Sequence, residues 1–73
     1  MIIITGPQST DDEVGLIAEA AGYFDGLPAY DVAVQWPEAT ALYCLIGWET
    51  CSLAVADVTI AEALGLPVLQ LAR

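Results

Sequence analysis

A chain of 73 residues has room for one domain, spanning 1–73, because a core of this size buries only about 60% of the surface its unfolded form exposes. Ten acidic residues against one arginine and no lysine give a formal charge of −9, which repels phosphate backbones and anionic headgroups and excludes nucleic acid and membrane surfaces as partners. Hydrophobic residues make up 58% of the chain, yet no apolar run approaches the roughly 18 residues of a membrane span, so the surplus apolar surface points to a homo-oligomer.

Met1-Ile2-Ile3-Ile4 lacks a basic leader region, so no signal peptide is expected. Ile2 to Thr5 is a β-branched run closed by Gly6-Pro7, which reads as a buried strand entering a tight turn. Thr10 and Glu13 form a capping-box pattern, and Asp11, Asp12 and Glu13 lie where the positive end of a helix dipole favours acids. A helix should run from there to about Phe24. Val14, Ile17, Ala21 and Phe24 keep helical spacing, and Leu16, Ala20 and Tyr23 widen the apolar stripe. Asp25-Gly26-Leu27-Pro28 breaks the helix.

Ala29 to Glu38 has weak periodicity and is expected to form a short helix. Ala41 to Ile46 has the composition of a second buried strand, with Gly47-Trp48-Glu49-Thr50 as its exit loop. Thr50 or Ser52 is the expected cap of a second helix that reaches Leu64 and stops at Gly65. Pro67 to Leu71 is the third strand. Strand-helix-strand steps of this kind form right-handed crossovers. The expected fold is therefore a small α/β domain, a flavodoxin/Rossmann-like parallel sheet of about three strands with helices packed in two or three layers.

Placed at 100° intervals, Leu53 and Leu64 fall within about 40° of Asp57, flanked by Ala54, Ala61 and Ile60, so Asp57 stands in the apolar face of the second helix. An acid there either reaches solvent or a backbone amide near the helix start, or faces a ligand beyond the carboxyl ends of the strands. Gly6-Pro7 and Gly47-Trp48-Glu49 would line that crevice. Trp48 could stack on a base or plug the core, and Glu49 could accept a sugar hydroxyl or simply be solvated. Two cysteines without a histidine make a zinc site improbable. Cys44 and Cys51 are expected to be reduced thiols in a cytoplasmic setting, with no histidine or lysine to activate Cys51 as a nucleophile.

Gly47 to Leu66 resembles the signature of small, often phage-encoded domains in the nucleoside 2-deoxyribosyltransferase-like superfamily, whose pattern reads G-W-E-x-S-x-G-A-x-x-E-x-x-x-A-x-x-L-G-L. Every spacing is kept, and Gly6-Pro7 matches the S-G-P turn of that group, with Thr5 in the serine place. The resemblance implies a nucleoside or nucleotide as ligand, no cofactor, no metal, and a host-cytoplasmic location if phage-encoded. It lays Asp57 on the glutamate that attacks the sugar C1′, Cys51 on the serine that contacts sugar or phosphate, and Leu53 on a glycine. Gly6, Pro7, Gly47, Trp48, Glu49 and Cys51 are then the ligand-binding residues and Asp57 the catalytic one. Thr40 stands where the group has an aspartate, and the additional strand that fuller relatives carry between Gly22 and Tyr30 is not expected here. The resulting expectation is nucleoside binding with weak or no N-glycosidic transfer or hydrolysis. The alternative is a non-enzymatic interaction module on the same scaffold.

Overall fold

The computed structural model describes residues 1–31 and 34–71. Its elements, in chain order, are β1 (Ile2–Thr5), α1 (Asp11–Tyr23), β2 (Leu27–Pro28), β3 (Ala41–Cys44), α2 (Ser52–Ala63) and β4 (Val68–Gln70), with single 3-10 turns at Trp36–Glu38 and Trp48–Thr50. All strand pairings are parallel, in the order β2-β1-β3-β4, with β1 in register from Ile2 opposite Ala41 to Thr5 opposite Cys44.

Strand alternation sorts the core onto two faces. Ile3, Leu42 and Cys44 pack with Val58 and Ala61 of α2, whereas Ile4 packs with Ile17 and Ala21 of α1, joined by Ile2, Tyr43 and Leu45. The two helices therefore lie on opposite faces, and the molecule is a three-layer α/β fold of the small flavodoxin/Rossmann-like kind. Helix α1 covers β1 and β2, while α2 covers β3 and β4.

The ends of α1 follow local chemistry. Thr10 accepts from the Glu13 amide, and Glu13 reaches back to the Ser9 and Thr10 amides, completing the capping box. At the other end Gly26 N–H donates to the Ala21 carbonyl at 2.8 Å, with Asp25 left-handed at φ +56°. This is a Schellman turn with aspartate in the place glycine usually takes. Helix α2 ends in the same motif, with Gly65 at φ +73° and Leu66 N–H on the Ala61 carbonyl at 2.9 Å.

Several expectations change. The sheet has four strands, because Leu27–Pro28 pairs with Ile3 and Ile4 of β1. Pro28 is tolerated because β2 is an edge strand. The expected helix over Ala29–Glu38 is a single 3-10 turn at Trp36–Glu38 with Pro37 in its first turn, and residues 32 and 33 lie outside the described part. Cys51, rather than Thr50 or Ser52, occupies the cap position of α2; the Thr50 hydroxyl instead donates to the Gly47 carbonyl. The buried face of α2 is Ala54, Val58 and Ala61, and Leu53 and Leu64 are exposed. On α1, Leu16 and Tyr23 are likewise exposed.

Candidate functional site

Parallel order with β1 beside β3 makes their carboxyl ends a topological switch point, because β1 continues toward β2 on one side and β3 toward β4 on the other. Ligands of open α/β sheets bind outside such points. Here the backbone closes tightly. A side chain at Gly6 would meet Leu45 Cβ at 2.8 Å, and one at Gly47, which sits at φ +91°, would meet Pro7 Cγ at 3.2 Å. The two glycine turns predicted to share a crevice therefore do touch.

Asp57 reaches this end from α2. It flanks the buried Ala54–Val58–Ala61 stripe instead of standing at its centre, and it is half-buried. Its Oδ2 accepts from the Thr5 hydroxyl at 2.8 Å and from Gln8 Nε2 at 3.4 Å, and Gln8 Nε2 also lies 3.3 Å from Thr5 Oγ1. Burial raises the Asp57 pKa above the ordinary aspartate value, and the two donors pull it partly back. Among the described residues none donates a hydrogen bond to the second oxygen, Oδ1. One oxygen is thus held by Thr5 and Gln8, and the other has no donor among the described residues.

Thr5 has no exposed surface, and its hydroxyl is the buried polar group that orients the carboxylate. Gln8 was not anticipated from the sequence. It carries no spacing signal, and only its place just beyond the strand end, after Gly6-Pro7, hints at a role. Thr40, in contrast, lies at the start of β3, at the opposite end of the sheet, where its hydroxyl donates to the Met1 carbonyl at 3.2 Å.

Cys51 is buried at the start of α2. The Ala54 amide, then those of Gln8 and Leu53, lower its thiol pKa without closing a capping hydrogen bond to the helix, while burial and the Glu13 charge act the other way. Backbone amides thus lower the thiol pKa where no histidine or lysine is present to do so. Cys44, fully buried under the same end of the sheet, has its pKa pushed up to about 11 by burial and by the charges of Asp57 and Glu49. Both cysteines are free thiols.

Trp48 packs its ring against the core around Ile3 and Leu42, and its Nε1–H is buried without a partner among the described residues. Glu49 is exposed on the same turn. Asp57, Cys51, Gly6, Pro7 and Gly47 therefore gather at the switch point, with Trp48 beneath it and Glu49 outside. No described helix is long and apolar enough to cross a membrane. No protein-family model, no curated protein and no solved structure matches the chain.

Proposed function

We propose that this protein binds a nucleoside or nucleoside monophosphate at the switch point, with Asp57 accepting sugar hydroxyls and turnover of the N-glycosidic bond weak or absent. The observation that carries this reading is the half-buried Asp57 carboxylate at the strand ends, whose Oδ2 is fixed by Thr5 and Gln8 while Oδ1 takes no donor among the described residues. A carboxylate oriented in this way is preorganised as an acceptor. A glycosyl-accepting nucleophile would use the same carboxylate, and the spacing resemblance of Gly47 to Leu66 supports the ligand class. Catalysis is disfavoured because aspartate falls one methylene short of glutamate, and a misplacement of about 1 Å can reduce a rate on the order of 10²-fold.

The test is thermal melting against a panel of nucleosides, deoxynucleosides and their monophosphates. Ligand at about 1,000 times its Kd adds about 4 kcal/mol to stability, so binding shows as a selective rise in Tm that Asp57→Ala abolishes. A protein that melts cooperatively and shifts with none of these compounds overturns the reading. Chromatographic release of free base from any shifting deoxynucleoside then separates an enzyme from a binder. A second reading, a non-enzymatic interaction module, is favoured by Leu53, which is 60% exposed on α2.

A further inference from the structure

A phosphate held at the strand ends of an open α/β sheet is bound by the amides of a helix N-terminus and by nearby cations. Both helix N-termini are already occupied here. The first turn of α1 carries Asp11, Asp12 and Glu13, and the Glu13 carboxylate accepts from the Ser9 amide at 2.9 Å and the Thr10 amide at 3.2 Å. At the start of α2 the Ala54 and Leu53 amides, joined by the Gln8 amide from the turn after β1, face the sulfur of Cys51, a residue only 7% exposed. Cations are equally scarce. The chain has no Lys or His, its one Arg is Arg73, outside the described residues, and the N-terminal ammonium lies with Thr40 at the opposite end of the sheet.

What this end of the sheet presents instead is acceptors. The single Thr5 hydroxyl proton goes to Asp57 Oδ2, so Thr5 Oγ1 can only accept from Gln8, and Gln8 must turn its Nε2 toward both. That orientation leaves Gln8 Oε1, like Asp57 Oδ1, without a donor among the described residues. An open cleft of about 820 Å³ shares Pro7 with the switch point, and its charged residues among those described are Glu13 and Glu19. Acceptors and acids suit the hydroxyl and amine donors of a sugar and a base, whereas they repel a phosphate.

We propose that the switch point selects free nucleosides over their 5′-monophosphates, and that Cys51 is the specificity-determining residue, its side chain filling the amide cluster a phosphate would otherwise occupy. The selectivity rests on the nucleoside reading above; the closure of the amides by Cys51 does not.

Titration calorimetry with paired nucleosides and 5′-monophosphates tests the selectivity. For any nucleoside that binds, its monophosphate should bind at least about tenfold more weakly to the wild-type protein. Cys51→Gly, a substitution that helix caps accept, uncovers the amides and should shrink the difference below about threefold. Cys51→Ala empties the same space with less backbone freedom and serves as the second variant, and circular dichroism verifies that both are folded. Inorganic phosphate, at about 20 mM and compared with chloride of equal ionic strength, should raise the Tm of the variants and not that of the wild type. A monophosphate that binds the wild type as tightly as its nucleoside overturns the selectivity and leaves nucleoside binding standing. A phosphate response that is absent from the variants, or equal in the wild type, removes Cys51 from its role. If no nucleoside or monophosphate binds the folded wild type, the nucleoside reading falls and the selectivity falls with it.

Discussion

Asp57 concentrates the chemistry of the site into one side chain, and it does so at the expense of the fold. Its pKa is raised chiefly by burial, so the folded protein favours the protonated form more than the unfolded chain does. The linked stability is then fully present below the unfolded aspartate pKa and declines as pH rises through the folded one. Asp57→Asn, which keeps an oxygen to accept from Thr5, should therefore raise the Tm at neutral pH by a few degrees. It should also remove that part of the pH dependence, leaving a flatter profile in melts between pH 4 and pH 8. An unchanged or lower Tm would mean that the Thr5 and Gln8 hydrogen bonds outweigh desolvation. Sequence spacing singled out Asp57, but for an imperfect reason. The helical wheel centred the apolar face on Leu53 and Leu64, whereas close approach of α2 to the sheet selects the small Ala54 and Ala61 with Val58. Hydropathy weighs leucine above alanine, and it does not weigh the room available beneath a helix. The partners of Asp57 were hidden for a different reason, since Thr5 and Gln8 lie 52 and 49 residues away in the chain.

At the scale of elements, legibility tracked length and local signals. Both helices, β1, β3 and β4 could be read from periodicity, composition and turn residues. β2 could not, because two residues define no period and one of them is a proline. What positions β2 is the turn before it, where neighbouring residues have opposite requirements. Asp25 holds a left-handed conformation that strains any side chain, and a Cβ at Gly26 would stand 2.4 Å from the Ile2 carbonyl oxygen. Asp25→Gly should leave stability unchanged or raise it by up to about 1 kcal/mol, since relief of strain is offset by the extra freedom glycine gives the unfolded chain. Gly26→Ala should lower it by about 1–3 kcal/mol through the clash with β1. For a domain of this size each 1 kcal/mol moves the Tm by about 4–8 °C, so paired melts of the two variants resolve the difference.

For the whole molecule the governing quantities are charge and layering. A formal charge of −9 on a body with a Cα radius of gyration of 10.7 Å puts many of its acids within a Debye length of one another at low salt. Added salt should therefore stabilise the protein. Raising sodium chloride from about 20 to about 500 mM should lift the Tm by several degrees, because screening relieves repulsion in the compact state more than in the expanded one. A Tm independent of salt would show that the acids are spaced widely enough not to interact.

The central place of β1 in the sheet also has a consequence for biosynthesis. The strand made first is bordered on one side by β2, complete by Pro28, and on the other by β3, which begins only at Ala41. A nascent chain can thus close a β1-α1-β2 half early, but one edge of Ile2–Thr5 stays open until β3 has been made. At about 5–20 residues per second, the 36 residues from Thr5 to Ala41 take roughly 2–7 seconds to add. Throughout that interval an uncharged, β-branched edge is available for pairing with another chain. The tempo of translation through the middle of the message therefore bears directly on how much of the protein reaches its fold.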